Sequence, residues 1–210
     1  MIMQPREIQE CLDSLRALRI PKVWFRGFTE SGLEPVIQEF IADHAYFTHF
    51  VIVSDDGIVT PGALDAVLKL AVHRPVVSGY CNLDMGEHLQ IVNLRRPPLE
   101  EHGSTNLDSL YRLSEVFGRE EVETSFVGFS LTCMSRDLWL RFPFQAMHGP
   151  PGNSSDWSLS SRLWEAGVPM TGAGNAFQLH VKERWNAGDA GPDRGLVHVL
   201  NDVREVQFQP

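Results

Sequence analysis

Basic residues are scarce in this chain, cysteines number only three, and no apolar run approaches the length of a membrane span. Each shortage closes off a class of function. Eighteen Lys and Arg against 27 Asp and Glu leave a formal charge of −9. A surface of that sign gives no general reward for contact with phosphate backbones, so bulk nucleic-acid binding is not expected. Cys11, Cys81 and Cys133 are odd in number and widely separated, which fits neither a disulfide framework nor a zinc cluster and suits a reducing compartment. Spanning a bilayer takes about 18 or more consecutive apolar residues, and the opening Met-Ile-Met-Gln-Pro-Arg-Glu lacks the apolar centre of a signal peptide. A cytoplasmic protein with no membrane span is therefore expected. What remains is a chain of 210 residues, 43% hydrophobic and 21% charged, the composition of an ordinary globular protein with a substantial core. One domain is the simplest reading.

Helical and strand-like patterns alternate through the first half. Ile8, Cys11, Leu12, Leu15 and Leu18 fall at helical spacing, and Pro21 blocks continuation. A short apolar, aromatic strand is expected at 23–28, a helix at 33–44 through Val36, Ile37, Phe40 and Ile41, and a strand at 50–53. Thr60 followed by Pro61 reads as an N-cap and first helical position, opening a helix through Leu64, Val67, Leu68 and Leu70. A further strand follows at 76–81. Short apolar strands separated by helices imply crossover connections and a mostly parallel, Rossmann-like central sheet flanked by helices. The second half has a strand-like run at 89–94, a long β-prone stretch at 122–134 broken by Gly128, and a helix carrying Trp157, Leu159, Leu163 and Trp164 that ends at Gly167. Turn-prone Gly172, Gly174 and Asn175 precede a last short strand at 177–181, and the residues after Trp185 read as a loop-like tail, a candidate for mobility.

The apolar run Phe50-Val-Ile-Val ends abruptly in Ser54-Asp55-Asp56-Gly57. Two adjacent carboxylates just past a buried strand lie where open α/β sheets bind ligands, and hard oxygen donors there suit Mg²⁺ or Mn²⁺ bridging to a phosphate-bearing substrate. A polar turn closing a strand explains the same residues equally well. Two later features weigh against the plain turn: Asp156 at a helix start, 100 residues beyond Asp56, and His180 at the end of a strand.

This order of features resembles the glycosyltransferases of the GT-A fold, in particular the inverting, family-two-like group that uses nucleotide sugars. The resemblance runs from about residue 5 to residue 180. Ser54, Asp55 and Asp56 fall where that family carries its Asp-x-Asp motif. Val127-Gly128-Phe129, running into Ser-Leu-Thr-Cys-Met-Ser-Arg-Asp, resembles its acceptor-side strand. Ser155-Asp156-Trp157, with Arg162, Gly167 and His180, resembles its Glu-Asp-Trp, Arg, Gly and terminal His series. The likeness implies a single GT-A-like domain over 1–210, with a nucleotide-binding half (1–81), an acceptor and catalytic half (82–185) and the tail (186–210). It implies a sugar transferase that takes a nucleotide-diphosphate donor, a UDP-sugar being favoured, and delivers to an acceptor hydroxyl with inversion.

The roles implied follow the same correspondence. Asp56 and His180 would hold Mn²⁺ or Mg²⁺, and Asp156 would be the general base for the acceptor hydroxyl. Asp55 would bind the metal through water or hold the ribose. Pro5, Arg26, Thr29 and Glu30 would line the nucleotide pocket, and Lys182 and Arg184 would approach the diphosphate. Gly128, Trp139, Ser155 and Trp157 would lie on the acceptor side, although Trp157 and Trp164 read more readily as core than as a sugar platform and Trp139 suits either. The sequence departs from the family at two acids, with Ser54 at the first position of Asp-x-Asp and Ser155 where Glu is usual. Its first strand is also short. These departures leave open a degenerate domain that binds a nucleotide or a partner without catalysis. A nucleotidyltransferase is a further alternative, disfavoured because the amino terminus lacks a Gly- and Arg-rich phosphate loop.

Overall fold

A computed structural model describes residues 2–4, 9–26, 30–54, 57–83, 90–94, 110–145, 155–183 and 197–199; at 2–4, 25–26, 30–33, 82–83, 90–94, 110, 181–183 and 197–199 only the backbone is described. In chain order the elements are β1 (Ile2–Gln4), α1 (Gln9–Ala17), β2 (Trp24–Arg26), α2 (Glu30–Asp43), β3 (His49–Ser54), β4 (Gly57–Ile58), α3 (Pro61–Ala71), β5 (Val76–Leu83), β6 (Gln90–Leu94), β7 (Leu110–Arg112), α4 (Leu113–Val116), β8 (Glu121–Thr124), β9 (Thr132–Ser135), α5 (Arg136–Arg141), α6 (Ser155–Glu165), β10 (Met170–Glu183) and β11 (Val197–Val199).

Local chemistry accounts for the helix ends. Thr60 Oγ1 accepts the Ala63 N–H at 3.1 Å with Pro61 opening the first turn of α3, as its N-cap position requires. Ser135 caps α5 in the same way through the Leu138 N–H. Helix α6 closes with Gly167 at φ +67°. There Gly167 N–H donates to the Trp164 carbonyl and Val168 N–H to that of Leu163, both at 2.9 Å, the paired bonds of a Schellman ending.

All eleven strands among the described residues join one sheet, whose main path runs β11-β10-β5-β9-β3-β1-β2. The expectation of a mostly parallel sheet is corrected here. Only β1–β2, β1–β3 and β5–β10 pair parallel among the described residues, and the other seven pairings are antiparallel. The cause is β9, which enters between β3 and β5 and runs against both. Because it reverses direction twice over, β2, β1, β3, β5 and β10 still point the same way, and their carboxyl ends gather at one edge.

Consecutive strand residues feed two opposite layers. Ile52, Val76 and Met134 join Ile37, Ile41, Trp139, Leu159 and Leu163 beneath α2, α5 and α6. Their neighbours Val53, Val77 and Cys133 join Leu15, Ala63, Leu64 and Val67 beneath α1 and α3. Burial on both faces is why these strands read as unbroken apolar runs rather than as alternating ones. The three cysteines are buried, and burial pushes the Cys133 thiol up to about 12.

Strand β10 departs most from the sequence pattern. Instead of a turn at 172–175 and a short strand, it is a single 14-residue strand with a register shift between Gly172 and Phe177. Gly174 within the shift presses against the backbone: a Cβ there would lie 2.2 Å from the Arg119 carbonyl oxygen. Tyr80 spans the irregularity by donating its hydroxyl to the Gly174 carbonyl at 2.8 Å, and burial keeps that hydroxyl protonated by raising its pKa. The tail is likewise not all loop, since β11 pairs with residues 181–183 of β10. Because the obstacle at Gly174 is main chain rather than a movable side chain, Gly174→Ala should destabilise the protein by about 3 kcal/mol or more. Tyr80→Phe should cost about 1–2 kcal/mol; urea denaturation midpoints of the two variants measure the difference.

Candidate active site at the carboxyl edge of the sheet

The common direction of five strands fixes what meets at this edge. Gln4 pairs with Arg26 and Met3 with Ser54, so the ends of β1, β2 and β3 stand side by side. Pro5, Thr29, Asp55, Asp56 and Arg184 lie outside the described residues. Arg26, Glu30 and Lys182 are described in their backbone alone, at the end of β2, the start of α2 and in β10. Next in the sheet, Ser54 N–H donates to the Phe129 carbonyl at 2.8 Å, which ties the end of β3 to the segment leading into β9.

That segment in turn holds α6. Ser160, fully buried, accepts the Val127 N–H at 3.0 Å and returns its hydroxyl to the Val127 carbonyl at 3.4 Å. Phe126 packs against Trp157 with ring centroids 4.9 Å apart. Arg162 fixes the other side of the helix by donating to the carbonyl of Pro143 at 2.7 Å. Asp156 is thereby delivered in the first turn of α6, half-buried, with Oδ1 accepting the Trp157 N–H at 2.8 Å. A carboxylate is favoured at that helix end.

His180 reaches the same edge from β10. Its register partner is Gly57, and Leu179 pairs with Ile58. This two-residue strand β4, unmarked in the sequence by anything except a turn-like Asp-Asp-Gly, joins the chain segment that carries the acids to the segment that carries the imidazole. The two approaches are from different layers. Helix α6 belongs to the α2 and α5 layer. On β10, Gln178 pairs with Cys81, two residues along from Gly79 and four from Val77 in the α1 and α3 layer. His180, two residues beyond Gln178, projects to that same side.

Polar groups are concentrated beneath the edge. Thr132 donates its hydroxyl to the Gly128 carbonyl at 2.5 Å and lies 3.1 Å from Ser78 Oγ, which donates to the Gly79 carbonyl at 2.8 Å. Gln178, 1% exposed, is the exception to this mutual satisfaction: neither its Oε1 nor its Nε2 has a hydrogen-bond partner among the described residues. An orphaned buried amide costs about 1–3 kcal/mol for each group left unpaired. Nothing in the sequence pattern singles it out except a polar residue amid apolar neighbours.

Other expected site residues serve packing. Trp139 is fully buried in the core and donates its indole N–H to the Phe50 carbonyl at 3.1 Å, a position that offers an acceptor no surface. Ser155 is 1% exposed and Gly128 is buried, so both lie beneath the edge rather than on it. Trp157 is half-buried, whereas Trp164, read as a core residue, is 44% exposed. Among the described residues no three His, Cys, Asp or Glu side chains form a metal-holding group.

No protein-family model matches the chain, and no curated protein matches it in sequence. The structure is similar to the crystal structure of A197 from STIV, with 14% identity, 94% of each chain covered and a TM-score of 0.54. At that identity the likeness concerns the fold alone. No described helix is long and apolar enough to cross a membrane.

Replacing Ser160 by Ala leaves the Val127 peptide group buried without its partner, so Ser160→Ala should lower stability by about 1–3 kcal/mol. Faster amide exchange in residues 126–129 and in the first turn of α6, measured by hydrogen exchange, should accompany the loss.

Proposed function

We propose that this chain is a metal-dependent glycosyltransferase that moves a sugar from a nucleotide-diphosphate donor to an acceptor hydroxyl with inversion. The pairing of His180 with Gly57 carries the reading. Antiparallel partners stand about 4.5–5.5 Å apart and successive Cα atoms about 3.8 Å. Chain connectivity therefore keeps the Cα of Asp56 within about 9 Å of that of His180, a span that a carboxylate and an imidazole sharing one ion can cover.

In this reading Asp56 and His180 hold Mn²⁺ or Mg²⁺, with Asp55 contributing through water or at the ribose. One carboxylate and one imidazole, with diphosphate oxygens completing the set, suit Mn²⁺ well. The bound ion would neutralise the charge that develops on the diphosphate leaving group. Asp156 takes the proton of the acceptor hydroxyl while that oxygen attacks the anomeric carbon from the side opposite the leaving group, which inverts the centre. Its delivery by a separate helix from the other layer suits that division, because base and leaving group must act on opposite sides of the sugar. Arg26, Thr29, Glu30, Lys182 and Arg184 are the proposed donor contacts. Likeness of fold to A197 is compatible with this assignment and adds nothing on activity.

The burial of Ser155 favours a second reading. The position that carries an acid in the resembling family is here a small hydroxyl below the surface, as in a domain that binds a nucleotide without transferring a sugar.

Calorimetry with Mn²⁺ and a panel of nucleoside diphosphates and nucleotide sugars separates these readings. Metal-dependent nucleotide binding, weakened at least tenfold in Asp56→Ala and in His180→Ala, is expected. Asp156→Asn should keep that binding and lose transfer and donor hydrolysis by about 100-fold or more, within the range of a positioned general base. Binding without turnover in the native protein would select the second reading; no metal-dependent binding would remove both the metal site and the transferase.

A further inference from the structure

A cavity of about 390 Å³ opens at the opposite edge of the sheet, where the amino ends of β2 and β3 meet the segment after α1 and the last turn of α2. Ile20 and Leu68 line it from the α1 and α3 layer, Phe40 and Phe47 from the α2 and α5 layer, so it lies in the seam between the two. His49, also in the lining, is separated from Ser54 by the length of β3, about 16 Å at the rise of a strand. The cavity and the candidate active site are therefore distinct.

Five rings of the lining form a closed circuit. Phe40 stacks on His44 with centroids 4.0 Å apart, His44 meets Tyr46 at 5.7 Å and Tyr46 meets Phe47 at 4.3 Å. Phe47 and Phe40 then both stand edge to face with Phe50, at 6.0 and 6.1 Å. Tyr46 is 73% exposed although it touches two of the other rings, so part of this wall is built outside the core. The polar groups are of one kind. Lys22, His44 and His49 line the cavity and no carboxylate does among the described residues, in a chain whose acids outnumber its bases 27 to 18. Lys22 Nζ donates to the Leu18 carbonyl at 2.5 Å, which uses one of its three protons and leaves two for a ligand. His44 Nδ1 lies 2.7 Å from the Phe40 carbonyl; a carbonyl only accepts, so Nδ1 carries a proton and the imidazole is held in the circuit.

We propose that this cavity is a binding site for a small aromatic carboxylate, with its ring against Phe40, Phe47 and Phe50 and its acid group on the Lys22 ammonium. Aromatic rings alone would attract a cation to their faces, but an ammonium in the lining with no carboxylate to balance it reverses that preference. Aromatic pairs gain beyond the area they bury, and the charge-assisted bond at Lys22 fixes the ligand's orientation. The volume falls within the range of small-molecule sites, which are mostly apolar with a few placed polar groups. This site stands independently of the transferase reading, and failure of either leaves the other untouched.

The test is calorimetric titration of the native chain with cinnamate, beside cinnamamide, which has the ring without the charge, octanoate, which has the charge without the ring, and cinnamylammonium, of opposite charge. Saturable binding of cinnamate, about tenfold or more tighter than that of the other three, is expected. Lys22→Met should abolish the preference for cinnamate over the amide, and Tyr46→Ala, at an exposed position, should weaken cinnamate about threefold or more. No saturable binding of cinnamate would overturn the site. Octanoate binding equally well would overturn the aromatic class, and the amide or the ammonium binding equally well would overturn the anionic one. Cinnamate affinity unmoved by both substitutions would place the ligand elsewhere and reject the proposal. Should a variant fail to fold, resonances of the native chain decide: the backbone amides of residues 44–50 must shift as cinnamate saturates while those of residues 121–124 hold, and unmoved amides at 44–50 reject the site.

Discussion

The antiparallel entry of β9 between β3 and β5 is the constraint on which the rest of the structure depends. A parallel β3–β5 pair would have had nothing between them to carry residues 126–131 up to the sheet edge. With β9 in place, the backbone of Phe129 reaches Ser54 and that of Val127 reaches Ser160. Helix α6 is then held against the segment that leads into β9. The same ladder keeps β5 and β10 aligned with β3, so His180 arrives at the edge from which Asp55 and Asp56 depart. Ser54 and His180 are placed by a main-chain hydrogen bond and a strand register, whereas α6 is held by the Ser160 and Arg162 side chains and the Phe126–Trp157 ring contact.

Buried polarity is concentrated in a few stretches of the chain. The buried polar side chains among the described residues, Ser78, Thr124, Ser125, Thr132, Ser155, Ser158, Ser160, Thr171 and Gln178, lie on β5, β10, α6 or the 124–132 segment. Hydroxyl groups recover much of their desolvation cost by bonding nearby carbonyls, as Ser78, Thr132 and Ser160 do. Gln178 does not. Hydrophobic layers on both faces supply the surplus that makes such a concentration of buried polarity tolerable.

Periodicity and caps revealed the parts of the fold that depend on local chemistry. Thr60-Pro61 marked the start of α3, and Gly167 the end of α6, because those backbone conformations are set by single residues. Strand direction left no such trace: an apolar run such as residues 131–134 looks the same whichever way it enters a sheet, so the expectation of a mostly parallel sheet carried no sign of the reversal at β9. In β10 the glycines were read as turn signals, when the requirement at Gly174 is close approach to the Arg119 carbonyl within a continuing strand. At the edge, Asp156 and His180 stood out through their order along the chain, and the structure brings the elements that carry them to one edge. Gln178 went unnoticed because one amide in an apolar strand forms no pattern, and Trp139 drew attention because an indole suits a sugar platform as well as a core.

Strand β10 bonds to β4, β5, β8 and β11, reaching back from residue 180 to residue 57. During synthesis the amino-terminal strands emerge first and can begin to associate, yet the sheet cannot close until β10 has left the ribosome. Long-range pairing of this kind is slow to form. The imidazole and the buried amide travel on that late strand, so a chain interrupted before β10 would present unpaired edges on β4, β5 and β8 together with an incomplete site. Quality control in the cell would meet such a chain as an aggregation hazard rather than as a partly active enzyme, and completion of the fold and completion of the site become a single event.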